Sequence, residues 1–365
     1  MTVLDRSAVE AQALAVRLFT AALSTAELFT AYVGVRLGLY RALAADGPAT
    51  AAQLSQRAGI AVRYAREWLE QQAASGLLEV DDVAKAPERR LYLLPPGHAE
   101  ALTETDSPYF MAPMALLPVG AMARVLPKLL DAYRTGGGVP YSEYGDDFHE
   151  GQGLLNRAVF LHQVPRWLAR GIPRLHARLV AGGRAADVGC GAGWSSIALA
   201  RAYPALRVDG FDLHDGSVEQ ARRNAAAAGV ADRVTFTVGS AADAGADARG
   251  HYDVACIFDA LHDMSSPAEV LRACRGALAR GGSMVLMEPK AGETFTAPAD
   301  ETERFLYAVS LLHCLPVGLS EQPSVGTGTV IRPVTVAELA AAAGFERVTV
   351  VPVEHRFHRL YHLEP

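Results

Sequence analysis

Ala186-Asp187-Val188-Gly189-Cys190-Gly191-Ala192-Gly193-Trp194 closes a predicted strand and opens a helix near the middle of the chain. Glycines at alternate positions let the backbone turn tightly and approach a ligand where a Cβ would collide. The helix predicted over 195–202 presents free N–H groups at its start. Strand, glycine turn and helix N-terminus together make a nucleotide-type binding corner. The spacing is G-x-G-x-G, with Trp194 standing where the third glycine of a dinucleotide fingerprint would fall. The next predicted strand, 207–212, ends in Asp212, whose carboxylate can accept both hydroxyls of a ribose. The pattern suits an adenosine-like ligand without a diphosphate; NAD binding and a purely structural turn are the alternatives.

On these residues the chain resembles the class I S-adenosylmethionine-dependent methyltransferases, whose first motif reads much like Asp187 to Gly193. From Ala177 onward strands and helices alternate, with strands expected at 184–188, 207–212, 233–237, 253–258 and 283–288. Two more, 346–353 and 356–363, are joined so closely that they must be antiparallel. A seven-stranded Rossmann-like α/β sheet ending in one antiparallel hairpin is the arrangement the resemblance implies. Ligands then sit at the carboxyl ends of the strands. The cofactor residues so expected are Asp187, Gly189, Gly191, Gly193, Asp212, Leu213, Ser240, Ala241 and Phe258, with S-adenosyl-L-methionine as cofactor. Ser240 departs from the acid often found at its position, and Asp243 reads either as a carboxylate that hydrogen-bonds the adenine amino group or as an ordinary loop acid.

The 365 residues, half of them hydrophobic, are enough for more than one domain. A net charge of −6 gives no general attraction to nucleic acid or anionic membrane. The four cysteines are scattered, without a C-x-x-C pair, which favours reduced thiols in a cytoplasmic protein. No secretory leader is read at the N-terminus, and no charge-free apolar stretch approaches the ~20 residues of a transmembrane span.

The first third reads as a long helix over 14–43, a helix over 50–58 capped by Thr50, a turn at Gly59-Ile60, a helix over 63–74 and a hairpin of 77–80 with 90–94. This is a winged helix. Residues 1–106 hold ten basic against thirteen acidic side chains, whereas a DNA reader needs a basic face. Small-molecule O-methyltransferases have a similar region that pairs two subunits, so a homodimer is expected. Gln53 to Leu78, with Arg63-Tyr64-Ala65-Arg66-Glu67-Trp68-Leu69, is also similar to a bacterial group of winged-helix methyltransferases, some labelled transcriptional regulators. We therefore divide the chain into a dimerisation domain (1–106), a helical linker and active-site cover (107–175) and a cofactor-binding domain (176–365). In the cover, helices are expected at 122–133 and 156–171. The run Gly136 to Gly145 reads as a mobile loop with aromatic anchors; the resemblance implies that this region passes over the cofactor, with Tyr144 and Phe148 helping to close the pocket, and an interdomain linker with packed aromatics is the alternative.

Asp259-Ala260-Leu261-His262-Asp263-Met264 resembles the His-Asp-Trp stretch of plant-type O-methyltransferases, where the histidine is the general base. A hydroxyl attacking a sulfonium methyl must lose its proton, and a histidine near neutral pKa can take it. Met264 replaces the tryptophan. Glu288 matches the carboxylate that orients that histidine, and Asp263 can also cap the helix beginning near Ser266. His313, in the long insertion after the fifth strand, stands as a second catalytic candidate. We read the chain as a methyltransferase acting on a small-molecule hydroxyl of natural-product (secondary) metabolism, and assign no metal. Three alternatives stay open: a metal-assisted C-methyltransferase using His262 and His313, similar to enzymes in which paired histidines hold iron; a cofactor-sensing regulator; and a relative that has lost methyl transfer.

Overall fold

A computed structural model describes residues 3–240 and 250–365. Ala241 and Asp243 lie outside the described residues. The chain divides into two compact units, Met1–Gly120 and Ala121–Pro365.

The first unit opens with the helix Val3–Arg36. The single helix expected over 14–43 is two: Gly38 adopts φ 67°, a left-handed turn that a glycine takes without a Cβ penalty, and a second helix runs Leu39–Asp46. Gly34 is needed for a different reason. A Cβ there would stand 2.6 Å from the rings of both Trp68 and Tyr40, so only glycine lets the long helix close on them. Thr50 caps Ala51–Ala58, its hydroxyl accepting from the Gln53 N–H while the Gln53 side chain accepts from the Thr50 N–H. Helix Val62–Ala74 and the hairpin β1 (Glu79–Val80) with β2 (Tyr92–Leu93) complete the winged helix. Arg63 pairs with Glu67, and Arg66 with Glu70 and Glu88, so both basic side chains of the would-be recognition helix are neutralised. The first helix leaves Leu14, Leu18, Phe19 and Leu23 exposed. By length and composition alone, Arg6–Arg36 and Pro113–Thr135 are each long and apolar enough to cross a membrane, although neither stretch is free of charge.

The second unit is built on a seven-stranded sheet in the order β5-β4-β3-β6-β7-β9-β8. Its strands are β3 (Gly183–Val188), β4 (Leu206–Asp212), β5 (Val234–Val238), β6 (Tyr252–Phe258), β7 (Leu278–Pro289), β8 (Arg347–Val351) and β9 (His358–Glu364). The first five are parallel, and β9 runs antiparallel to both β7 and β8. The near-continuous burial of β3, β4 and β6 reflects helices on both faces, which enclose two separate apolar clusters. The final hairpin turns over 352–357, a longer connection than expected.

The helix expected over 156–171 breaks into Asp146–His162 and Val164–Gly171, because Pro165 has no N–H to donate into a continuous helix. The run from Gly136 is fastened rather than loose. The Val139 N–H donates to the Pro316 carbonyl at 2.9 Å, and the Tyr144 hydroxyl donates to the Leu312 carbonyl at 2.9 Å. Pro316 explains the second bond. Its missing N–H leaves the carbonyl four residues back, that of Leu312, without a helical donor, and the local helix widens to a π-turn over Ser310–Cys314.

Candidate functional site

A cavity of about 590 Å³ opens at the carboxyl ends of β3, β4 and β6. The glycine turn forms its floor. The N–H groups of Gly189 and Cys190 both donate to the Phe211 carbonyl, at 2.8 and 3.1 Å, drawing the turn against β4. A Cβ on Gly189 would meet the Ala260 Cβ at 2.9 Å, whereas Gly191 (φ 51°) has open space on the side where a Cβ would stand. The Asp212 carboxylate accepts from the Gly191 N–H at 2.8 Å and the His214 N–H at 2.9 Å, so each oxygen is held by backbone. Burial raises its pKa, opposed by those two donors. Gly189, Gly191, Asp212, Leu213, Ser240 and Phe258 all line the cavity. An open cradle over Gly191, beside a pinned carboxylate, fits an adenosyl ligand: Asp212 would hold the ribose and the turn would underlie the linking atoms.

Three expected cofactor residues stand elsewhere. Asp187 is buried behind the turn, where its Oδ2 accepts from the Ser195 and Ser196 hydroxyls at 2.6 and 2.5 Å. It ties β3 to the start of helix Trp194–Ala202, and burial pushes its pKa up to about 6. Tyr144 is fully buried and off the cavity wall; Tyr141 and Phe148 line the cavity instead. Gly193 also lies back from the wall. A Cβ there would strike Phe236 and Ala221 at under 3 Å, so it serves packing at φ 79°.

The opposite wall carries titratable side chains. His262 is buried off the cavity wall, with Nδ1 2.5 Å from Glu288 Oε2 and Nε2 3.4 Å from Asp263 Oδ1. Burial opposes its charged form, but Asp263 and Glu288 on either side outweigh burial and hold its pKa well above the ordinary histidine value. Glu288 also accepts from the Leu261 N–H at 3.0 Å, which fixes the short turn Leu261–Asp263. Asp263, which reaches the cavity, does not cap the next helix; Ser266 occupies that position without a side-chain bond. Burial raises Asp263 to about 6, partly offset by His262.

His313 does reach the cavity. Its ring stacks on Phe148 (centroids 3.9 Å apart, planes at 19°) and meets Tyr144 edge-on at 4.6 Å. Nδ1 lies 3.4 Å from Cys314 Sγ, and Nε2 is buried with no hydrogen-bond partner among the described residues. Burial, together with His262 and His149, pushes its pKa well below the ordinary value, so the ring is neutral. The donor atoms that gather most tightly are those of His262, Asp263 and Cys314, all within 4.8 Å of one another; His313 is not in that group. Sequence reasoning passed over Gln152, Asn156, His149 and His214 on the cavity wall, because no contiguous motif marks them.

Comparison with known proteins agrees with this fold. Residues 185–282 match the model of a methyltransferase domain, and residues 25–104 that of an Rv2258c-like winged HTH domain. The ubiquinone biosynthesis O-methyltransferase of Ralstonia nicotianae is 30% identical over 180 residues, covering 48% of this chain and 68% of the relative. That of Bordetella parapertussis is 32% identical over 171 residues, 46% of this chain; the match spans 64% of that relative's length. Among solved structures, human N-acetylserotonin methyltransferase in complex with SAM superposes with a TM-score of 0.69 at 19% identity, covering 96% of this chain and 97% of that one. An O-methyltransferase family protein from Burkholderia thailandensis gives 0.67 at 18%, with coverage of 96% and 97%. The chain belongs to the class I S-adenosylmethionine-dependent methyltransferases, in the group with an N-terminal winged helix.

Proposed function

We propose that this protein transfers a methyl group from S-adenosylmethionine to a hydroxyl oxygen of a small natural-product molecule, with His313 as the general base. Bound in the corner of Gly189, Gly191 and Asp212, the cofactor supplies an electrophilic methyl on a sulfonium. The cavity wall holds the acceptor hydroxyl in line with that methyl, which is the main source of rate. His313 Nε2 would take the acceptor hydroxyl's proton as the oxygen takes the methyl, with S-adenosylhomocysteine as the leaving group. The observation that carries this reading is the side chain of His313, a neutral imidazole that lines the cavity and whose buried Nε2 has no hydrogen-bond partner among the described residues. Glu288 and His262 stand behind it as a positioning pair that sets Asp263. A panel of hydroxylated aromatics incubated with the protein and cofactor tests the reading; a methyl ether formed with one S-adenosylhomocysteine per turnover supports it, and methylation at carbon or nitrogen alone rejects it.

The uncovered apolar face of the first helix supports a homodimer, and the acidic balance of the winged helix argues against DNA as partner. With its scattered cysteines all free, the chain suits the cytoplasm. A metal-assisted reading draws on one specific observation, the clustered donors of His262, Asp263 and Cys314. Elemental analysis of untagged protein purified without chelators decides it: stoichiometric metal lost in Cys314→Ala supports it, and metal-free active protein rejects it.

A further inference from the structure

The acceptor side of the cavity carries charge of one sign. Asp263, Met264, His313, Val317, Ser320 and Glu321 line it, and no lysine or arginine stands among the described residues of the wall. His313 is neutral and 3% exposed, and its Nε2 has no hydrogen-bond partner among the described residues. His262 is charged, but it stands between Asp263 at 3.4 Å and Glu288 at 2.5 Å. One imidazolium against two carboxylates leaves one negative charge over. Glu288 is sealed off at 0% exposure, so that charge meets the cavity through Asp263. Glu321 is placed on the same wall by clamps on both sides of it. The Ser324 hydroxyl donates to the Gly318 carbonyl at 2.6 Å and closes a short loop around Glu321. The Val325 N–H donates to the Ser265 carbonyl and the Gly328 N–H to the His262 carbonyl, each at 3.1 Å, which holds the loop against the turn that carries Asp263. The Glu321 side chain is exposed at the mouth of the cavity.

An anionic acceptor entering this side would lose its water and meet like charge with no cation to replace it. A cationic acceptor meets a countercharge instead. We propose that the acceptor bears a protonated amine and no carboxylate or phosphate, its ammonium facing Asp263 and Glu321 while its hydroxyl lies at His313. This rests on the hydroxyl-methylation reading and adds the charge class of the substrate. The two acids act differently. The Asp263 side chain is only 22% exposed, so a bond to it is weakly screened and supplies the discrimination. Glu321 is exposed and draws cations to the mouth, less so as salt rises.

Calorimetric titration of the S-adenosylhomocysteine-saturated protein with tyramine, 4-propylphenol and 3-(4-hydroxyphenyl)propionate tests it. The three share a phenol and a short chain and differ in the charge at its end. Wild type is expected to bind tyramine at least about tenfold more tightly than the carboxylate, as a hydrogen bond to a charged group implies, with the neutral phenol between them. Asp263→Asn is expected to cut that preference at least about fivefold. Glu321→Gln is expected to cut it about twofold, as suits an exposed pair, and keeps the test open if the first variant does not fold. Equal affinity for the three phenols, tighter binding of the carboxylate, or no binding of any of them overturns the inference, and so does a preference that both substitutions leave unchanged. Methyl-ether formation from the same phenols with S-adenosylmethionine is scored separately. A methyl ether without the charge preference overturns this inference and leaves the methylation reading standing. A charge preference without any methyl ether overturns the reading of this wall as an acceptor site, and the inference with it.

Discussion

The two sides of the cavity are made differently. The cofactor side is backbone: one turn, Gly189 to Ala192, and one carboxylate, Asp212, whose oxygens are held by the N–H groups of Gly191 and His214. The opposite side is made of side chains from segments far apart in sequence: Asp263 and His313 reach the wall, and His262, Glu288 and Cys314 are buried against them. A backbone site is fixed as soon as the strand and turn form. A side-chain site depends on which ring nitrogen or carboxyl oxygen each neighbour claims, and a one-residue shift of register rewrites it.

The comparison breaks most visibly at the acceptor side. His313→Ala is expected to lower turnover by about 10²- to 10⁴-fold, the usual worth of a general base, while leaving cofactor affinity unchanged. His262→Ala is expected to cost less, because it acts through Asp263. Steady-state rates for the two variants, with calorimetry for the cofactor, decide the order. If His262→Ala is the more damaging, the base is His262 and its Nε2 must turn away from Asp263 when substrate binds.

On the cofactor side, Asp212→Ala is expected to weaken S-adenosylhomocysteine binding well beyond tenfold, since two backbone donors and the ribose lose their shared acceptor. Titration of the variant checks this, and unchanged affinity removes the ribose assignment. The same substitution leaves the His313 side untouched, so any turnover that remains at saturating cofactor measures how independent the two sides are.

That contrast also accounts for what was legible in the sequence. The sheet, its antiparallel end and the corner at Gly189 to Asp212 could be read because each is a local pattern: alternation of elements, glycine spacing, an acid at a strand end. The kink at Gly38 and the break before Pro165 were local too, and were missed only because the apolar pattern runs straight across them. The place of His262 was not legible. The motif gives residue types, and only the fold shows that Nδ1 faces Glu288 while Nε2 faces Asp263. Tyr144 carries the same lesson. Its hydroxyl is claimed by a carbonyl that Pro316 has freed, 168 residues along the chain. The left-handed backbone of Asp259, at φ 57°, has no sequence signal, because aspartate is common at strand ends for ordinary reasons.

Asp187 gives the smallest effect and the sharpest reading of the backbone side. It underlies the turn without reaching the cavity, so Asp187→Asn is expected to alter stability and not the preference among adenosyl ligands. Burial raises its folded pKa from 3.8 to about 6. The folded state therefore binds more protons than the unfolded state between those values. The cost of the buried anion is fully present above pH 6 and is relieved as pH falls through 6 towards 3.8. From pH 7 to pH 5 the relief is about 1 kcal/mol. Asparagine has no such titration. In urea unfolding, the stability of wild type relative to Asp187→Asn should rise by about that amount between pH 7 and pH 5. A difference that stays constant with pH would mean that the two serine hydroxyls keep the carboxylate ionised throughout, and that the turn rests on a buried charge.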